Sequence, residues 1–494
     1  MRPIARLVDE ELNLDALQHT YSGRGSRPHR PDLLLKLVIY EHSQARVQPT
    51  QWFKDLHENV AIQWLVFGMK PSLTTLYEFR DRVQPLLEDL NRQVVQAAIE
   101  EGYTDGTCGA LDGTTVAANG TRHRMISLET VEKRLEILDR ELTKAEQSGE
   151  ATAAVEVLHP EVRVSAAPRE SPAATPSWMA KTLRGQRRQW DDHRRAREVL
   201  QAKHAANKRR RKDKRKQDRK IRVALGDPMA AFGLDKLKTY RPLYNVQTMS
   251  DVETDLVLAY ATTPTTADNG QLLPMIERTT AMTDRPLQKV LTDSGYPSGQ
   301  DLAVCQEKGV TVYAPWYENS FTEAKRAQRS EKAQIPKDQF VFDPSGPSYR
   351  CPEGKLLNYR ERSSKQKADG TYFAIEIYQA NPTDCADCPL KSRCLRGRSA
   401  ARTVRRQEDE ELIEALKQRM NQPEAKALYS KRGCTVERRF ADFKTHRGLQ
   451  RFSGRTPERA DAQVGLTVLA HNLRTLEKLR TRRQSPPGTG ETAA

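Results

Sequence analysis

Three acids stand where a metal-assisted reaction could use them: Asp112, Asp293 and Glu437. The first two share a setting. Each ends a short run of strand character, "GALD" and "VLTD", and each is followed within two residues by Gly. In open α/β sheets, ligands collect just beyond the carboxyl ends of strands. An acid placed there is held by its strand yet faces solvent. The alternative for either one alone is a turn aspartate that satisfies backbone donors. Glu437 lies in "TVERRFADFKTHRG", at the edge of an apolar stripe made by Val436, Phe440 and Phe443 at helical spacing. Lys444, seven residues on, falls about 20° from Glu437 around that helix. With Arg438, Arg439 and Arg447 it makes the helix basic. One carboxylate on such an edge suits a metal ligand flanked by phosphate contacts. A surface glutamate paired with Lys444 is the alternative.

A second group of chemistry-bearing residues is "CPEGK…DCADCPLKSRC", which holds Cys351, Cys385, Cys388 and Cys394. Two thiols two residues apart, with two more brought in by the fold, suit tetrahedral thiolate zinc. Four unrelated reduced thiols are the other reading. The chain has 7 cysteines. An odd total in a chain read as cytosolic argues against a disulfide framework. Cys108, Cys305 and Cys434 fall within elements and need no special role.

The elements that must position these residues fit an α/β chain with helical additions. At about 150 residues per domain, 494 residues make roughly three domains. Residues 10–100 read as helices, through "RPDLLLKLVIYEHSQ", "PTQWFKDLHENVAIQWLVFG" and a longer one opened by the capping pattern Thr75-x-x-Glu78. A helix-turn-helix-like DNA-binding module and a plain helical bundle both suit them. "CGALDGTTVAANG" reads as a strand, a tight turn at Asp112-Gly113 and a second strand. Leu128, Val131, Leu135, Leu138 and Leu142 then form a coiled-coil-like seam. Residues 148–177 read as a flexible Ala/Pro/Ser/Glu loop. A basic helical segment follows, so the whole predicts an antiparallel arm inserted in a β-containing domain. Beyond it, "RPLYNVQTMSDVETDLVLAYATTP" reads as a strand pair. Helix ("DNGQLLPMIERTTAM"), strand ("LQKVLTD"), helix ("SGQDLAVCQEKG") and strand ("VTVYAPW") come next, which indicates a mixed α/β sheet. Two long helices close the fold, and the tail from Ser485 reads as disordered.

Charge points to a partner. Lys181–Arg222 carries 19 Lys and Arg against 5 Asp and Glu, an excess of 14 within a chain whose net charge is +16. A dense basic stripe is the electrostatic footprint of a nucleic-acid binder, because each neutralised phosphate releases counterions. A solvated basic helix is the bland alternative. No stretch of 18 apolar residues occurs; the best, "LLLKLVIY", is short and contains Lys36. The N-terminus shows no apolar signal core. The expectation is a soluble cytoplasmic protein with no membrane partner.

Together these motifs resemble a DDE transposase of bacterial insertion sequences, close to the 1182-type group and related to the insertion-sequence 4/5 superfamily. "LDGTTVAANG" is similar to the first-Asp motif, "YNVQTMSD" to the strand after the insertion, and "LTDSGYPSGQDL" to the second-Asp motif. "YSKRGCTVERRFADFKTHRGLQRF" resembles the Tyr-Arg-Glu-Lys helix, and "RPDLLLKLVIY" and "SLTTLYEFRDR" extend the likeness to the N-terminal helices. Four residues separate Arg432 from Glu437 where the insertion-sequence-4 signature has three, which leaves the role of Arg432 open. Glu437 and Lys444 keep the usual six.

The resemblance implies an RNase H-like mixed-sheet catalytic domain (104–122 and 238–318) with a helical N-terminal DNA-binding domain (1–103). It also implies a helical basic insertion (123–237), a Cys-rich, zinc-ribbon-like insertion (319–410) and C-terminal catalytic helices (411–484), ahead of the tail at 485–494. Asp112, Asp293 and Glu437 would hold two Mg²⁺ or Mn²⁺ ions. Lys444, Arg432, Arg447 and the arm residues Arg209, Arg210, Arg211 and Lys212 would contact double-stranded DNA at terminal inverted repeats and target. A homodimer in the DNA complex, bound at the nucleoid, is implied as well. An inactive DNA-binding descendant and a structure-specific nuclease are the alternatives. Tyr296 either packs under the site or touches DNA.

If the basic tract grips phosphates, neutralising Arg209, Arg210, Arg211 and Lys212 together should weaken DNA binding. The slope of log K against log salt should then become shallower by about 0.9 for each phosphate that is no longer neutralised. Fluorescence anisotropy from 50 to 300 mM salt measures it, and an unchanged slope returns the tract to a solvated helix.

Overall fold

The computed structural model describes residues 2–21, 28–147, 176–210, 212–235, 238–316, 335–366, 372–395 and 397–484. The expected loop at 148–177 and the tail at 485–494 fall almost wholly outside these, and Arg211 does so as well.

The N-terminal region is helical: α1 (Arg2–Glu11), α2 (Asp15–His19), α3 (Pro31–Ser43), α4 (Pro49–Glu58), α5 (Val60–Leu65), α6 (Leu73–Val83) and α7 (Leu87–Glu100). Pro opens α3 and α4, where its missing N–H costs nothing and its fixed φ suits the first turn. The cap of α6 is Ser72, whose Oγ accepts from Thr75 N at 3.1 Å. The helix therefore starts one turn before the Thr75 pattern suggested.

The central sheet is built on β1 (Cys108–Ala117). This strand runs unbroken through Asp112-Gly113, where the sequence suggested a turn. It is paired on both edges: antiparallel with β5 (Tyr240–Asp251), where Asp112 faces Thr248 and Gly113 faces Gln247, and parallel with β7 (Lys289–Leu291). Continuous ladder bonds on one edge override the local turn preference of Asp-Gly. The other edge of β5 is shared by β4 (Ala231–Leu234) and β6 (Val257–Thr263), and β8 (Thr311–Tyr313) pairs parallel with β7. The result is the expected mixed sheet, six strands in which β4, β6, β5 and β1 pair antiparallel and β7 and β8 continue parallel to β1. Helices α10 (Leu272–Thr283) and α11 (Gly299–Glu307) cover one face, burying Leu111, Met249 and Val290.

The arm is antiparallel. Helices α8 (Leu128–Gln147) and α9 (Leu183–Arg209) close a small core of their own around Val131, Leu135, Ala196 and Leu200. The two-stranded pairing of β2 (Met125–Ile126) with β3 (Val223–Ala224) ties its root. The Cys-rich region is larger than a ribbon. Strands β9 (Val341–Asp343), β10 (Ser348–Arg350), β11 (Leu356–Gln366), β12 (Tyr372–Ala380) and β13 (Thr403–Gln407) form an antiparallel sheet, with short helices α12 (Pro382–Ala386) and α13 (Lys391–Cys394) before β13. Its strands escaped the sequence reading because β11, "LLNYRERSSKQ", is polar and carries little apolar periodicity.

Helices α14 (Glu410–Asn421), α15 (Pro423–His446) and α16 (Pro457–Gln484) end the fold. α16 is the spine of the molecule. Leu466, Leu469, Leu473 and Leu476 join one apolar core with Leu35, Val38, Trp52 and Phe79, while Val464 and Val468 pack with Tyr244 and Val246 of the sheet. The N-terminal helices and the sheet therefore share a helix that comes last in the chain.

Within the N-terminal core Glu41 is fully buried, and its nearest cation, Arg46, is 3.8 Å away. Burial, helped by Asp55 and opposed by Arg46, pushes its carboxyl up to about 8. Burial holds His42 down at about 4. The signs oppose each other. Glu41 binds its proton more tightly when folded, so its contribution is lost as pH rises from 4.5 toward 8. His42 disfavours its proton when folded, so its contribution is gained as pH rises from 4 to 6.5. Above pH 6.5 the Glu41 loss stands alone. Stability should therefore fall between pH 6.5 and 8 by at most about 1.4 kcal/mol per pH unit, and Glu41→Gln should flatten the decline. Urea unfolding across that range measures it; an equally steep fall in the variant would refute it.

Candidate active site

Strand pairing brings together the segments that carry Asp112 and Asp293. β1 pairs with β7 at a constant offset, Cys108 with Lys289, Gly109 with Val290 and Ala110 with Leu291. The pairing ends there, two residues before Asp293, and the Asp293 charge bears on Asp112 from the turn that follows. Both acids face the same side. Ala110 and Leu291 share an apolar cluster with Val436 of α15, and side chains alternate, so the residues two further on also point toward α15. Burial raises the Asp112 pKa, Arg432 and the Gly113 N–H oppose the rise, and Asp293 and Asp268 add to it.

The segment that carries Asp293 is tied down closely. Its Oδ1 accepts from Gly295 N at 2.7 Å. Ser298 then caps α11 with a full capping box, Asp301 Oδ2 accepting from Ser298 N at 2.9 Å. Between them Tyr296 turns inward and is fully buried, and its hydroxyl donates to Gln247 Oε1 at 2.5 Å. Tyr296 thus packs under the site.

α15 roofs the acids and is bonded to both strands. Tyr429 Oη donates to Thr292 O at 3.1 Å, one residue before Asp293. Arg432 Nη2 pairs with Asp112 Oδ1 at 3.0 Å, and Lys444 Nζ donates to Thr115 O at 3.1 Å. A buried network holds the back of the helix, where Arg439 meets Asp255 and His471. Burial and the nearby Arg439 hold His471 down at about 4, although Asp442 favours its charged form.

The expected residues are not all in the same position to act. Glu437 follows the fully buried Val436 by one residue, hence by about 100° around the helix, and is exposed on its flank. Arg447 is 4% exposed, with its Nε on Asp442 Oδ2 at 2.6 Å, so here it fastens the end of α15. Arg209, Arg210 and Lys212 are exposed at the arm end, distinct from the acids in the fold. Among the described residues no three His, Cys, Asp or Glu side chains are arranged to hold a metal ion as they stand. The donor chemistry of Asp112 and Asp293 does fit one: two crowded carboxylates with hard oxygens, one of them already leaning on a cation. Sequence reasoning missed Asp268. Its Oδ1 accepts from Asn245 Nδ2 and Gln247 Nε2, both at 2.8 Å. No local pattern in "TTADNG" marks that acid.

The four cysteines gather in the second sheet's core. Cys385 and Cys394 are buried there, with Cys351 packed against them. Burial raises the Cys394 pKa, Arg402 opposes, and Cys385, Cys388 and Cys351 add to the rise.

A mixed α/β domain with two neighbouring carboxylates, one within a central strand and one just past the end of the next, under an arginine- and lysine-rich helix suits an enzyme acting on nucleic-acid phosphates. Residues 350–477 match the transposase DDE domain family, and residues 1–82 match a transposase domain (DUF772) family. The chain is accordingly a DDE transposase of the insertion-sequence kind, an enzyme that cuts DNA and transfers strands. The first match takes in Glu437, Lys444 and the four cysteines; neither reaches Asp112 or Asp293. No curated protein and no solved structure matched the chain. No helix among the described residues is long and apolar enough to cross a membrane.

If Arg432 is the stand-in cation for Asp112, Arg432→Gln should lower stability by about 2 kcal/mol. Mg²⁺ should then raise the melting temperature of the variant more than that of the wild type. Differential scanning fluorimetry with and without Mg²⁺ tests it; equal Mg²⁺ shifts would refute it.

Proposed function

We propose that this transposase, of the 1182-type group, uses Asp112, Asp293 and Glu437 as a single metal-binding triad on an RNase H-like catalytic sheet. The observation that carries the reading is the β1–β7 pairing, which brings the segments bearing the first two acids together beneath the helix that bears the third. Strand order supports the sheet type: antiparallel β6-β5-β1 continues into parallel β7-β8. The hard carboxylate oxygens suit Mg²⁺, with Mn²⁺ as substitute. Two such ions, when bound, supply an activated water and stabilise charge on the leaving oxygen.

The chain's own residues do the rest. Asp112 is held by β1 and Asp293 by the turn that follows β7, so little ordering is left to do when the ligands are needed. Arg432 exchanges Asp112 for a DNA phosphate, which leaves the carboxylate to its metal. Lys444, anchored along the same flank as Glu437, holds the neighbouring phosphate. Glu437 swings from its exposed flank to complete the ligand set. No side chain acts as nucleophile. Water cuts the strand at the terminal inverted repeat, and the freed 3′-OH, retained in the same site, attacks target DNA. The arm's exposed Arg209, Arg210 and Lys212 grip the duplex outside the site. Two copies act together, one for each element end. We further propose a structural zinc on Cys351, Cys385, Cys388 and Cys394, since Cys385, Cys394 and Cys351 pack in one small core and Cys388 follows Cys385 at Cys-x2-Cys spacing. The metal content of the purified chain, zinc or none, decides that assignment.

The experiment is cleavage and joining of DNA that carries the element's own ends, with Mg²⁺. Asp112→Asn, Asp293→Asn and Glu437→Gln should each cut the rate by at least roughly 10³-fold, the scale of losing a principal charge-stabilising group, while DNA binding survives. Equal cleavage by the wild type and all three variants would sink the assignment.

A further inference from the structure

Beneath the acids, on the opposite face of β1, lies a buried hydrogen-bonded chain that the triad chemistry does not use. Asp268, in the loop between β6 and α10, accepts from Asn245 and Gln247 of β5. Gln247 in turn accepts from Tyr296, three residues past Asp293. Gln247 and Tyr296 are fully buried, and Asn245 is 2% exposed. The chain passes directly under Gly113, the neighbour of Asp112. A Cβ there would collide with Asp268 Oδ1 and Gln247 Nε2 and come within 3.0 Å of the Tyr296 hydroxyl. Gly113 is therefore the window through which these groups close up beneath β1. Each link has one compatible orientation: a carboxylate accepts, an amide both donates and accepts, and a phenol donates.

We infer that Tyr296, Gln247 and Asp268 are positioning residues that fix the spacing between the Asp112 and Asp293 carboxylates. The inference rests on the reading of Asp112 and Asp293 as metal ligands. β7 has only three residues, and its ladder with β1 stops at Leu291, two residues short of Asp293. Past that point the strand pairing no longer dictates where the second acid stands. What reaches across is the Tyr296 hydroxyl, tying the Asp293 turn to β5, the strand that also flanks Asp112. A misplacement of about 1 Å at a reacting centre can cost roughly 100-fold in rate, so one buried hydroxyl can matter to the chemistry without touching DNA.

The test is an exchange of hydrogen-bond roles in the full-length chain. Gln247→Glu sets a carboxylate against Asp268 and breaks the chain of donors. Gln247→Glu combined with Asp268→Asn restores it, because the new amide donates to the new carboxylate, which still accepts from Tyr296. For Gln247→Glu we expect a fall in kcat of about tenfold to 100-fold, with the KM for DNA little changed. Binding of Mn²⁺ alone, followed by electron paramagnetic resonance without DNA, should weaken in parallel. The double variant should recover both to within about threefold, and Tyr296→Phe should repeat the kcat loss with the fold retained in circular dichroism. A double variant no better than Gln247→Glu, or a Tyr296→Phe protein with wild-type kcat, overturns the inference. If Asp112→Asn and Asp293→Asn were themselves harmless, the triad reading would fall instead, so the two failures are distinct.

Discussion

Two carboxylates on neighbouring strands repel each other, and the structure is arranged around that repulsion. Asp293, just past the end of β7, lies near Asp112 on β1, and its charge adds to the cost that burial puts on ionising Asp112. Such a pair needs positive charge. In the free protein one guanidinium, Arg432, supplies part of it from α15.

That demand explains the fixing of α15. A helix that sets Tyr429, Arg432 and Lys444 against β1 and the turn after β7 must not rotate or slide. Its front is bonded to Thr292, Asp112 and Thr115. Its back is bonded through Arg439 to Asp255, with His471 of α16 alongside. Burying an arginine is expensive, and replacing such a network by apolar residues is often neutral or stabilising. Its contribution here is a single rotational setting. Gly448 ends the helix with φ +70° and lies so close to Ala45 O that a side chain there would press on it. The end of α15 is therefore seated on the loop between α3 and α4.

α16 carries that coupling through the molecule. One side packs with the N-terminal helices and the other with the sheet. Asn472 accepts from Val257 N and donates to Val257 O, both at 2.9 Å, which locks α16 to β6. The family matches fall on the two ends of the chain, residues 1–82 and 350–477, and these ends share one core.

Whatever depends on local pattern and composition was legible in the order of the residues. Helix periodicity and proline placement located the helices, the basic tract marked the arm, and the order of short motifs around Asp112, Asp293 and Glu437 pointed to the family. Long-range pairing emerges only in the folded chain. Asp112-Gly113 has the local character of a turn, yet its ladder with β5 holds it extended. Asp268 and Tyr296 join the site's foundation through partners 21 and 49 residues away, a separation no local period encodes. Arg447 looked like a phosphate contact from its charge alone, but burial and Asp442 turned it into a fastener. The residue order dictates which groups are present; only the folded register decides which of them share a charge.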